Sequence, residues 1–192
     1  MRPAVFVDRD GTLIEERGYL GNPDQVALFP FTAPAIARLR AAGFAIVVVT
    51  NQAGVARGLF DEDAVRRVHE KLDALLAPAG AAPDAYYYCP HHPEGAVAAY
   101  RVACACRKPE PGLVARAARD LGLDVARSFV VGDKWIDVEL ANRAGARGML
   151  VRTGYGAFAE APPPGVRVEA VVPTLAEAAD AILAAADPEP TR

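Results

Sequence analysis

Five apolar, β-branched runs, each followed by a stretch with helical periodicity, predict an α/β chain with a doubly wound, mainly parallel sheet and helices on both faces. Two further observations agree. The runs are almost continuously apolar, as strands covered on both faces are. Three of them also end on Asp8, Thr50 and Asp133, at the carboxyl edge where open α/β sheets bind their ligands. With 192 residues the chain has the length of one domain, 1–192, with a full core.

The first strand, over 4–8, ends in Asp8-Arg9-Asp10-Gly11-Thr12. In an extended segment the i, i+2 spacing sends both carboxyl groups to the same side. Such crowding is relieved by a shared cation or a held proton. The pair suits phosphoryl transfer, with one carboxylate attacking phosphorus and the other protonating the leaving oxygen. Residues 12–31, with Gly18, Gly21, Pro23 and Pro30, read as a flap or hairpin over the strand ends. Ile36, Leu39 and Arg40 then form a helix stopped by Gly43, and the second strand, over 44–49, runs into Thr50 and Asn51. Their hydroxyl and amide can donate to phosphate oxygens. Asp61 is placed as the N-cap of a helix carrying Val65, Val68, Leu72 and Leu75, and His69 in that pattern is expected to face solvent.

The third strand covers 85–88 and leads into Cys89-Pro-His91-His92, with Cys104-Ala-Cys106 following at a distance. Segment 89–106 thus holds two pairs of soft or borderline donors, the tetrahedral set of a closed structural zinc site. Either His91 or His92 satisfies the spacing. Lys108 follows, where it can neutralise a transferring phosphoryl group as a point charge. Pro111 opens a helix that Gly122 closes, and the strand over 128–132 delivers Asp133, a hard oxygen ligand of the kind Mg²⁺ prefers. A helix from Trp135 to Gly145, a strand over 147–151 and an exposed loop at 157–166 come next. Thr174 and Glu177 form a capping box before the Ala-rich helix 175–186, and the tail 187–192 is expected to fray. The intervals Asp8–Thr50 and Gly54–Arg107 are largely filled by these elements, leaving room for only a minimal cap.

Composition narrows the function classes. The chain is 52% hydrophobic and 23% charged, with a formal net charge of −3. Nucleic-acid and anionic-membrane partners are therefore not expected. Three cysteines argue against a disulfide framework. The short apolar run before Asp8 is not a signal-peptide core, and no stretch reaches the length of a membrane span, so a cytoplasmic location is expected.

The order of Asp8-Arg-Asp10-Gly-Thr-Leu, Thr50-Asn51, Lys108 and Gly132-Asp133-Lys134-Trp-Ile-Asp137 resembles the four motifs of the haloacid dehalogenase superfamily of phosphatases. That resemblance covers about residues 4–155. It implies Asp8 as nucleophile and Asp10 as general acid and base. Thr50 and Lys108 would stabilise the phosphoryl group, and Mg²⁺ would sit on Asp8, Asp133 and the backbone carbonyl of Asp10. Within the superfamily the cysteine window resembles the heptose-bisphosphate phosphatases, as do Gly18-Tyr19, Asn51-Gln52 through Gly58, and Tyr87 through Pro93. The histidinol-phosphate phosphatases share the four ligands on a much shorter loop. The heptose resemblance implies Zn²⁺ on Cys89, His91, Cys104 and Cys106, and a small phosphorylated sugar as substrate. It also implies substrate contacts from Gly18, Tyr19, Asn51, Gln52, Arg107 and Lys134; Arg17, Arg57 and Arg107 could furnish the second anion site a bisphosphate needs, and a monomer is expected. Ala53 departs from the family pattern, which often has Ser there. A non-catalytic, zinc-stapled binding module is the reading of a different class.

Overall fold

Apolar residues at 4–7 make β1 (Ala4–Val7) a fully buried central strand of a parallel sheet. Val5, Phe6 and Val7 pair with Ile46, Val47 and Val48 of β2 (Ala45–Asn51) on one side. On the other side they pair with Phe129, Val130 and Val131 of β4 (Phe129–Gly132). With β3 (Ala85–Cys89), β5 (Arg147–Val151) and β6 (Ala170–Val172) the order is β3-β2-β1-β4-β5-β6, all parallel. The chain therefore reverses its direction of travel between β1 and β4, and a crevice opens at that switch point. The computed structural model describes residues 1–186, so the expected fraying of 187–192 lies outside the described residues.

Period-two alternation survives beneath the continuous apolar runs. Val5, Val7, Ile46 and Val48 face one cluster with Ile36 and Leu39 of α1 (Thr32–Ala41), Val68 and Leu72 of α2 (Glu62–Leu76), and Ile182 of α5 (Leu175–Ala186). Phe6, Val47 and Val49 face the other, with Leu113 and Val114 of α3 (Gly112–Leu121) and Leu140 of α4 (Trp135–Ala144). Among the described residues most buried apolar side chains fall into these two clusters, with Val55, Ala56 and Val65 among those buried outside them. The helix punctuation follows the local chemistry. Asp61 accepts from Ala64 N at 2.8 Å, and Glu177 accepts from Thr174 N at 3.0 Å. Residues 12–31 fold back as a hairpin-like flap, with Glu15 N donating to Ala27 O and Phe29 N donating to Leu13 O.

Two expectations need correction. The sheet has six strands rather than five. β6 is three residues long, half-exposed and at the edge, and its Ala-Val-Val run is too short to mark a strand in the sequence. His69 does not face solvent: it is only 7% exposed and stacks on Tyr86 with ring centroids 4.3 Å apart. Helical spacing puts it one residue from Val68 on the buried arc of α2, where an uncharged imidazole packs as an aromatic. Burial, with Arg9 nearby, pushes its pKa down to about 3. No helix among the described residues is long and apolar enough to cross a membrane.

Candidate active site

The carboxyl ends of β1 and β4 are adjacent, so Asp8 and Asp133 emerge side by side. Asp8 N donates to Val131 O at 2.9 Å, extending the ladder to the site itself. Asp137 joins them from the first turn of α4, and one carboxylate oxygen from each of the three lies within 4.8 Å of the others. Lys108 Nζ sits among them, 2.9 Å from Asp8 Oδ1 and 2.6 Å from Asp137 Oδ1, and donates to Val49 O at 3.1 Å. Burial opposes the charge on this lysine, but Asp137 and Asp8 outweigh it and hold its pKa above the ordinary value. Burial, then the Asp8 charge, push Asp133 up to about 7 against the pull of Lys134. Asp133 Oδ2 accepts from Tyr155 N at 2.7 Å, while its buried Oδ1 has no partner among the described residues.

Three buried carboxylates face Lys108 directly, with Lys134 at their edge, and the buried Asp133 Oδ1 has no donor among the described residues. Hard oxygen donors of this kind fit a divalent cation such as Mg²⁺. The surrounding backbone is shaped for close approach. Gly11 turns at φ 80°, and a Cβ on Gly11 or on Gly154 would collide with the Asp133 carboxylate. Trp135 opens α4 beside this group, its indole N–H buried and without a partner among the described residues.

Asp10 is treated differently. Its carboxylate stands outside the group of three and turns onto its sequence neighbour. Arg9 Nε donates to Asp10 Oδ2 and Arg9 Nη2 to Oδ1, both at 3.1 Å. Gln52 Nε2 donates to Asp10 Oδ2 at 3.0 Å and to Thr50 Oγ1 at 2.9 Å. Asp8 and Asp10 nevertheless line one cleft of about 310 Å³, together with Glu16, Gly18, Tyr19, Thr50, Asn51, Gln52, Arg107, Lys108, Lys134 and Tyr155. Arg17 is not in it: this exposed side chain pairs with Glu15 at 2.5 Å. Asn51 lines the cleft but uses its amide to clasp Lys108, accepting from its N–H at 3.0 Å and donating to its carbonyl at 3.2 Å. Lys134 Nζ lies 3.5 Å from Glu16 and 4.1 Å from the centre of the Tyr155 ring.

Next to the cleft, the Cys and His donors converge. Cys104 Sγ and Cys106 Sγ are 3.2 Å apart, and Cys89 Sγ is 3.5 and 3.3 Å from them. His91 Nδ1 lies 3.4 Å from Cys106 Sγ, whereas His92 Nδ1 accepts from Glu94 N. These separations are far beyond a disulfide bond and close to the roughly 3.8 Å edge of a tetrahedron with metal–sulfur bonds of about 2.3 Å. The donor set fits a closed four-ligand metal site, and His91 completes it. Tyr88 and Tyr100 both donate their hydroxyls to Glu62, at 2.6 and 2.7 Å, fastening this loop to the start of α2.

A family model described as HAD-hydrolase-like matches residues 105–178. The D-glycero-beta-D-manno-heptose-1,7-bisphosphate 7-phosphatase of Photorhabdus laumondii is 43% identical over 161 residues, covering 83% of this chain and 85% of that protein. The enzyme of the same name from Rhodopseudomonas palustris is 46% identical over 147 residues, covering 77% of this chain and 82% of that one. This chain belongs to that phosphatase family. Its fold also matches the D,D-heptose 1,7-bisphosphate phosphatase of B. bronchiseptica, solved with magnesium and phosphate. The TM-score is 0.82 at 36% identity, over 95% of this chain and 98% of that one.

Three residues of the phosphatase site were given no role by the sequence reading. Asp137 stands one helical turn after Asp133, a spacing that puts both on one face of the strand–helix junction. Arg9 carried a signal too: a charged residue between two carboxylates, directly after a buried strand, needs an internal partner. Tyr155 reaches the cleft from a loop, and no local pattern marks it.

Proposed function

We propose that this phosphatase removes the 7-phosphate of D-glycero-D-manno-heptose 1,7-bisphosphate through an aspartyl-phosphate. The observation that carries the reading is the buried Asp8–Lys108 pair lining a small polar cleft, in a chain whose named relatives act on that sugar. Asp8 Oδ attacks phosphorus. The phosphorus–oxygen bond to the sugar breaks, and the departing oxygen takes a proton from Asp10. In the second half, water attacks phosphorus, Asp10 takes its proton, and the bond to Asp8 breaks to release phosphate. Lys108 and the Thr50 hydroxyl hold the phosphoryl oxygens while charge builds on them, the contribution that dominates such reactions. Asp8, Asp133 and the Asp10 carbonyl would hold Mg²⁺, which when bound supplies further neutralisation of phosphoryl charge.

Cys89, His91, Cys104 and Cys106 would hold Zn²⁺, and the closed four-donor set suits a structural role. Arg107, whose Nη1 donates to His91 O at 3.2 Å, and Lys134 are the cations available to the rest of the substrate. Histidinol phosphate is the poorer fit, because Glu16, the cleft carboxylate nearest to that purpose, is already paired with Lys134. Phosphate release from a panel containing the heptose bisphosphate, other sugar phosphates and histidinol phosphate, with and without Mg²⁺, tests the reading. Turnover confined to histidinol phosphate, or none at all, would sink it.

A further inference from the structure

A guanidinium can only donate hydrogen bonds, and that fixes the direction of a whole chain of contacts at this site. Arg9 is completely buried. Its Nη2 donates to Gln52 Oε1 at 2.9 Å, so the other end of the Gln52 amide must be its NH₂. That NH₂ spends its two hydrogens on Asp10 Oδ2 and on Thr50 Oγ1. A threonine hydroxyl has one hydrogen; when Oγ1 accepts from Gln52, that hydrogen is left to point elsewhere. Thr50 is buried and lines the cleft, so that hydrogen is available to a phosphoryl oxygen seated there. The same guanidinium grips Asp10 through two nitrogens, one on each carboxylate oxygen, so the carboxyl plane cannot rotate without breaking both bonds.

We infer that Arg9 and Gln52 are positioning residues: Arg9 orients the Asp10 carboxyl for proton transfer, and Gln52 relays its polarity to Thr50 so that the Thr50 hydroxyl donates to phosphate. This rests on the proposed phosphatase reading and gives two sequence neighbours of the reacting groups separate tasks. The arrangement also explains an otherwise puzzling burial. Placing a full charge beneath a catalytic loop is unfavourable unless its partners are fixed, and here the partners are two groups that must not wander. Lysine cannot replace this guanidinium, since a single ammonium cannot span both Asp10 oxygens and the Gln52 carbonyl together.

The two tasks separate experimentally. Proton donation matters for a poor, alkoxide leaving group and hardly at all for an activated aryl one, whereas phosphoryl binding matters for both. The quantity to measure is kcat/KM, which reports events through phosphoryl transfer to Asp8, for the sugar bisphosphate and for 4-nitrophenyl phosphate. Inorganic phosphate is then used as a competitive inhibitor, and circular dichroism checks the fold of each variant. Arg9→Met should lower kcat/KM for the sugar phosphate by about 10²-fold, the scale of general acid catalysis, but only a few-fold for the aryl ester. Arg9→Lys should show the same asymmetry. Gln52→Glu, nearly isosteric, faces Thr50 and Asp10 with an acceptor instead of a donor; it should weaken phosphate inhibition and slow both substrates, the sugar phosphate more than the aryl ester.

An Arg9→Lys or Arg9→Met protein that folds and loses both substrates equally, or neither, overturns the orienting role. Unchanged phosphate inhibition in Gln52→Glu overturns the relay, and that arm stands even if the Arg9 variants do not fold. The unaltered enzyme provides the separate check: if it hydrolyses neither ester, the phosphatase reading has failed rather than this inference.

Discussion

Asp8 and Asp10 share a cleft but not an environment, and their substitutions should differ accordingly. Asp8 lies against Lys108 in the group of acidic side chains, so Asp8→Asn removes the attacking oxygen while keeping the shape. Turnover should vanish and the circular dichroism spectrum should not change. Asp10→Asn keeps its backbone carbonyl and some of its contacts with Arg9 and Gln52, and should lose about 10²-fold or more in turnover. Residual Asp8→Asn activity equal to that of the unaltered enzyme would remove the covalent route. At this scale the sequence was informative about identity but not about orientation. The spacing of Asp8 and Asp10 promised two carboxylates on one side, yet the chain leaves the extended conformation after β1 and Arg9 draws Asp10 aside. Only the three-dimensional meeting of Arg9 with Gln52, 43 residues away, shows this.

Among the elements, α2 and the metal loop make the sharpest predictions. His69 on α2 faces Arg9, the Tyr86 ring with its hydroxyl on Asp73, and the Tyr88 ring with its hydroxyl on Glu62. Its folded pKa of about 3 is below the unfolded value of 6.5, so on acidification the unfolded chain takes the proton first. Stability is intact above about pH 6.5 and declines as pH falls toward 3, by about 2 kcal/mol at pH 5. His69→Phe keeps the stacking and should lose that share of the decline in urea titrations at pH 5 and 7.5. An identical decline in the variant would show that burial does not depress the His69 pKa.

The metal loop ends at Cys106, two residues before Lys108, which Asn51 clasps from β2. Cys104→Ser should therefore raise KM and lower kcat together and speed hydrogen exchange across 89–108. Mg²⁺ dependence should persist, because Asp8 and Asp133 come from other strand ends. Full activity in zinc-free protein with 107–108 still protected from exchange would limit the cluster to holding the loop. Spacing alone left His91 and His92 equivalent; the structure separates them because Cys89 and Cys106 close on one and Glu94 on the other.

Across the whole molecule, the sheet was readable wherever burial on both faces forced long apolar runs, and β6 was hidden because an edge strand of three residues needs none. The flap and the loop carrying Tyr155 were equally opaque, since turn chemistry fixes a loop's ends but not what it leans over. The packing of α5 offers a site remote from the chemistry. Ile182 of α5 is fully buried against α1 and the sheet and lines no part of the cleft. Ile182→Ala should lower the unfolding free energy by about 2–5 kcal/mol, measured by denaturant titration, while kcat at 25 °C stays as it was. A parallel fall in kcat with the protein still folded would mean the far face is linked to the strand ends.

Trp135 is the chain's single tryptophan, and its place at the first residue of α4, two positions after Asp133, turns the protein into its own optical probe. All indole emission comes from one address, and a buried N–H without a partner makes that emission responsive to nearby charge. Titrating Mg²⁺ and then inorganic phosphate while following fluorescence should give two separable signals without any label, and Asp133→Asn should silence the first.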